Sequence, residues 1–140
     1  MNVDIHSRAH RTLKALSWYS DLSGDGKLPP GAPQPPVLQP DDVPIGAYVN
    51  GPTGFSDLVL FTTNGIYVYR SDKWEEAKYR DINRTIAPES KEAVTGFNML
   101  LQDGRNFWLP ITGSKSGRFF DAFEVLRFVD RVVADIASFK

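Results

Sequence analysis

From Ile45 onward the spacing of apolar residues changes once, and no other sequence feature limits the fold as tightly. Between Ile45 and Ile111 the apolar residues fall in short runs separated by turn signals, and from Arg118 onward they recur every three or four positions. The first pattern belongs to strands and the second to an amphipathic helix. Seven extended segments are predicted: Ile45–Asn50, Leu58–Thr62, Ile66–Arg70, Lys73–Tyr79, Asn83–Ala87, Val94–Gln102 and Arg105–Ile111. Asn64-Gly65 and Asp103-Gly104 are pairs that supply the positive φ angles of type I′ turns, so both junctions are predicted to be hairpins. The helix is predicted from Arg118 to about Phe139, with Ser116 as its cap. Its stripe holds Phe119, Phe123, Leu126, Val129, Val133 and Ile136, widened by Phe120, Phe128 and Val132. So much apolar surface must dock, and the sheet completed just before it is the available partner. The expected class is α+β: a seven-stranded antiparallel sheet, bent or closed to an open barrel, sealed by a C-terminal helix.

Two zones precede the sheet. Ile5, Ala9, Leu13, Leu16 and Tyr19 recur at helical spacing, so residues 1–22 read as an N-terminal helix from about Ile5 to Asp21, capped by Asp4 and stopped by Gly24. Residues 23–44 contain seven of the ten prolines. Each proline fixes φ and removes a donor, which excludes helix and central strand and leaves a semi-extended linker or arm. Asp41 and Asp42 start a turn at its end. Within it, Lys27-Leu28-Pro29-Pro30-Gly31-Ala32-Pro33 fits the basic-x-x-Pro-x-x-Pro pattern of ligands for Src-homology-3 domains. Residues 45–140 carry the fold. At 140 residues the chain suits one domain, large enough to bury a core without a metal or disulfide staple.

Seven antiparallel strands followed by one amphipathic helix resembles the pleckstrin-homology-like superfold over Ile45 to Lys140. The run from Leu58 to Tyr69, with Thr63-Asn64-Gly65 at its centre, looks like the second hairpin of GRAM-type and bacterial members of that group. Tyr79-Arg80-Asp81-Ile82 looks like their aromatic-x-Asp-Ile step at the end of the fourth strand. The resemblance implies a binding module that recruits partners through strand edges and the groove beside the helix. Two departures matter. The closing helix lacks the Trp of many eukaryotic members. The segment Asn50–Asp57, where inositide binders carry Lys and Arg, has no basic residue, and a phosphate needs such donors to replace its water.

The residues themselves narrow the function. With no cysteine, disulfides, thiol nucleophiles and cysteine-held metals are excluded. A formal net charge of −1 argues against a nucleic-acid binder and makes membrane association a poor expectation. No export signal is expected in the N-terminal segment, which fits a cytoplasmic protein. His6 and His10 stand four apart on the predicted helix, the spacing of two metal ligands, but Arg8 and Arg11 oppose a cation, so they read as an exposed polar face. Glu75 and Glu76 are adjacent on a strand and point to opposite faces, so they cannot act as a carboxylate pair. Phe107 and Trp108 likewise split between core and surface. The aromatic content favours contact with a protein or peptide, with Trp74 and Trp108 as exposed anchors near the helix and Arg84 as the polar one. No cofactor is implied. A peripheral membrane module and a small enzyme are the alternatives.

Overall fold

The computed structural model describes residues 5–13, 16, 18–22, 28, 31–50, 57–89, 94–115 and 119–138. Its order is α1 (Ile5–Leu13), β1 (Tyr19–Asp21), β2 (Pro44–Tyr48), β3 (Leu58–Thr62), β4 (Gly65–Arg70), β5 (Lys73–Lys78), a 3-10 turn (Tyr79–Asp81), β6 (Ile82–Ile86), β7 (Gly96–Leu101), β8 (Asn106–Pro110), the short strands β9 (Ser114–Lys115) and β10 (Phe119–Phe120), and α2 (Asp121–Ser138). All seven expected strands are present as β2 to β8, and the class is α+β with a C-terminal helix. They do not form one sheet. Strands β1 to β5 make a five-stranded antiparallel sheet in chain order, β6 to β8 a separate three-stranded one, and β9 pairs with β10. The break falls at Tyr79–Asp81. Here the Tyr79 amide bonds the Asn64 carbonyl at 3.0 Å and its phenol donates to the Thr62 carbonyl at 3.1 Å. With Tyr79 turned into the core, the chain leaves β5 and starts a new sheet at Ile82.

The first strand of the larger sheet, β1, corrects the predicted N-terminal helix. That helix ends at Leu13, where the Leu16 amide closes a turn onto the Leu13 carbonyl at 3.0 Å. Tyr19–Asp21 then pairs with β2, Tyr19 opposite Tyr48 and Asp21 opposite Gly46. Helical spacing loses to tertiary pairing because the β2 backbone needs a partner. Gly46 makes the pairing possible: a Cβ there would lie 2.0 Å from the Tyr19 hydroxyl oxygen. Asp4, Gly24 and Ser116 fall outside the described residues. The closing helix starts at Asp121 rather than Arg118.

The turns also differ from expectation. Register places Phe61 opposite Ile66, so the β3–β4 turn is Thr63-Asn64, and neither residue nor Gly65 has a positive φ. Side chains hold this turn instead. Asp42, 7% exposed, accepts from the Asn64 amide at 3.0 Å and the Thr63 hydroxyl at 3.2 Å, and Thr62 Oγ1 accepts from the Gly65 amide at 3.1 Å. Gly65 is needed for close approach, since a Cβ would sit 2.7 Å from the Ala77 carbonyl oxygen. The pair with positive φ is Ser71-Asp72 between β4 and β5, at 53° and 61°, the backbone of a type I′ turn. The β7–β8 loop has three residues, Gln102 to Gly104, closed by the Leu101 amide on the Arg105 carbonyl at 2.8 Å.

The main core lies between the inner faces of both sheets and α2. Phe61 and Tyr79 meet Phe128 edge-on, with ring centroids 6.0 and 6.1 Å away. Ala122, Val125, Phe128, Val129 and Val132 are the buried line of α2, while Phe123, Leu126, Val133 and Ile136 flank it, half-buried. The centre of the stripe is thus rotated from the predicted one. The reason is that α1 also packs on α2 and sends Ile5, Ala9 and Leu13 into the same core. Arg70 closes the opening between the sheets, its guanidinium 5.0 Å above the Phe107 ring and its Nε 3.2 Å from Glu75.

Candidate functional site

The three candidate contact residues lie on two different outer faces, and neither tryptophan stands beside the closing helix. Arg84 and Trp108 share a face. In the three-stranded sheet, Phe97, Met99, Leu101, Phe107 and Leu109 point into the core, so the residues alternating with them point outward. Cross-strand register then sets two rows: Ile86–Asn98–Trp108 and Arg84–Leu100–Asn106. The Asn106 side-chain amide donates to Asn98 Oδ1 at 2.7 Å, linking the rows. Trp108 and Ile86 are each 38% exposed, and Leu100, at the centre of the second row, is half-buried. The indole is seated over glycine: a Cβ on Gly96 would be 2.9 Å from Trp108 Cζ2. Arg84 is the one charged member of these six, beside three apolar and two amide side chains.

Ile86, Asn98, Leu100 and Asn106 were not singled out from sequence. Ile86 follows Arg84 by two residues, a signal that was available. Their alignment with Asn98 and Leu100 depends on a bulge between Ile82 and Arg84, which shifts the register by one residue and has no marker in the sequence.

Trp74 is not an exposed aromatic. It is half-buried on the outer face of the five-stranded sheet, under the proline-rich arm. Its indole N–H donates to the Gln34 carbonyl at 2.8 Å, and its ring lies 5.2 Å from that of Tyr69. Leu22, Ala47, Leu58, Leu60 and Tyr67 form a second apolar cluster there, covered by Leu28, Ala32 and Leu38 of the arm. The arm is therefore a packed cover over this sheet. Lys27, Pro29 and Pro30 of the Src-homology-3-type pattern lie outside the described residues.

Two polar features lie away from these faces. The Tyr48 hydroxyl, fully buried, donates to Asp121 Oδ2 at 2.7 Å and accepts from the Gly113 amide at 2.8 Å, while the Asp121 amide bonds the Gly113 carbonyl at 3.0 Å. This node ties β2, the segment after β8 and the start of α2. Burial, then the hydrogen bond to Asp121, pushes the Tyr48 phenol well above its ordinary range. Burial likewise raises Tyr67, with Glu76 and Asp42 adding to it, and Tyr79. The second feature is an open cleft of about 720 Å³ between the helices, lined by Arg11, Thr12, Glu124, Phe128, Asp130 and Arg131, with Arg127 beside Glu124 at 3.2 Å. Guanidinium groups hold anions but exchange no protons at neutral pH.

His6 and His10 are on α1, and their side chains lie outside the described residues. Among the described residues, no three His, Asp or Glu side chains are placed to hold a metal. Glu75 lies opposite Val68 and Glu76 opposite Tyr67, on opposite faces as expected. Residues 51–56, most of the segment without basic residues, are outside the described set. No described helix is long and apolar enough to cross a membrane. No family model, curated protein or solved structure matches this chain.

Proposed function

We propose that this protein is a non-catalytic binding module of pleckstrin-homology-like architecture that holds a protein or peptide on the outer face of its three-stranded sheet. The order of β2–β5, then β6–β8, then one closing helix supports the architecture. The observation that carries the binding role is the row Ile86–Asn98–Trp108, in which two of the large apolar side chains left exposed stand on one face, with Arg84 one row away. Trp and Arg are among the side chains enriched at interface hot spots. Strand edges β6 and β8 border this face and offer backbone groups to an extended partner.

Capture of partners from the native cell by the full chain tests the reading. Trp108→Ala removes a surface side chain, so folding stability is expected to move by less than about 1 kcal/mol. Partner affinity is expected to fall by at least about thirtyfold, the effect of a hot-spot truncation. Arg84→Ala gives a smaller loss that grows as salt is lowered. A Trp108→Ala chain that keeps every partner at undiminished affinity rejects this face.

A further inference from the structure

The arm makes more of the Trp74 face than a covered core. Strands β1 and β2 are antiparallel neighbours, a pair that a two-residue turn can join, yet 22 residues, 22–43, connect them. The surplus chain is not needed for topology. Its described residues Leu28, Ala32 and Leu38 pack over Leu58, Leu60 and Tyr67, with Tyr69 and Trp74 alongside. From Ala32 to Pro40 prolines stand at 33, 35, 36 and 40, each fixing φ and lacking an amide donor, which leaves an extended segment with few backbone donors. The sheet meets it in kind: an indole donor on the Gln34 carbonyl, an aromatic pair, and a surface taking Leu28, Ala32 and Leu38, while Val37 points away at 98% exposure. Aromatic side chains with an indole donor to a carbonyl are how polyproline segments are recognised between proteins.

We infer that the outer face of the five-stranded sheet is a binding site for proline-rich extended peptides, and that the chain's own arm is its resident, displaceable occupant. The arm is pinned at both ends to its own sheet. The Leu22 amide bonds the Ile45 carbonyl at 2.8 Å, and Asp42 holds the Thr63-Asn64 turn. So tethered, it can lift from its own face but not reach that of a second copy, and the competing ligand is a proline-rich segment of a different protein. The resident arm acts at high effective concentration and weakens any outside ligand. This site is distinct from the Trp108 face, and either can fail alone.

The Trp74 indole N–H resonance, assigned with Trp74→Phe, reports occupancy in the ¹⁵N-labelled full chain. The probe is a synthetic peptide with the sequence Lys27–Pro40. In the Leu28→Asp/Leu38→Asp variant the resonance is expected to leave its native position, and the peptide is expected to restore it saturably. Its affinity for this variant is expected to be at least about tenfold above that for the unaltered chain, whose arm competes. A peptide carrying aspartate at both leucine positions is expected to do nothing. If the double variant fails to fold, Leu38→Ala replaces it with the same criteria. A resonance unmoved by the arm substitutions overturns the inference, as does a displaced-arm chain indifferent to the peptide. Sedimentation showing dimers with exchanged arms overturns the assignment to a different protein.

Discussion

Phe128→Ala is expected to destabilise the protein by about 3–5 kcal/mol, the cost of truncating a buried aromatic whose surroundings cannot close the gap. Phe128 is 1% exposed and fills the space between the sheets from the helix side. Its edge-on partners come from either side of the break in the strand order, Phe61 in β3 and Tyr79 in the 3-10 turn. Neither ring can follow a retreating side chain, because Phe61 is paired into the sheet and the Tyr79 hydroxyl is bonded to the Thr62 carbonyl. A domain of this size is typically stable by about 5–15 kcal/mol, so the change removes a large share of the total. Urea denaturation measures it as a lower midpoint at unchanged slope. Phe123→Ala, half-buried on the same helix, is the control and should cost clearly less.

The second large effect belongs to the buried Tyr48–Asp121 node. Tyr48→Phe removes a hydrogen bond to a carboxylate and leaves the Gly113 amide without the phenol oxygen it bonds at 2.8 Å. The expected loss is about 2–4 kcal/mol, one charged hydrogen bond plus the cost of a buried donor. Asp121→Asn keeps the shape of the side chain and alters its charge at the first residue of α2, where a negative charge favours the helix dipole. Because the two side chains share one bond, the double variant should lose less than the sum of the single losses. A double-mutant cycle from denaturation curves reads that coupling, expected at about 1–2 kcal/mol. Additive losses would mean that the two side chains act independently.

These cases show which parts of the fold were legible in the sequence. Leu58–Thr62 could be read because it is buried along its whole length: an apolar run without alternation marks a strand covered on both faces. The cover on the outer face, the arm, was not legible, because prolines announce extended chain and say nothing about where it lies. Trp74 looked like a surface anchor for the same reason. The β3–β4 hairpin was legible, but its turn type was not, because Asp42, distant in sequence, supplies the acceptors that a positive-φ pair would otherwise make unnecessary. β1 was misread because three residues of helical spacing weigh less than an edge awaiting hydrogen bonds. At the candidate site, the outward aim of Trp108 followed from its alternation with Phe107. The company it keeps followed only from the register beyond the bulge at Ile82/Arg84.

In this fold α2 reaches both sides of the strand break through one ring, Phe128. A ¹³C-edited NOESY spectrum of the full chain tests this most directly. Cross-peaks from the Phe128 ring protons to the rings of both Phe61 and Tyr79 are the predicted result, matching centroid separations of 6.0 and 6.1 Å. A helical 121–138 segment whose Phe128 ring shows cross-peaks to neither would contradict it.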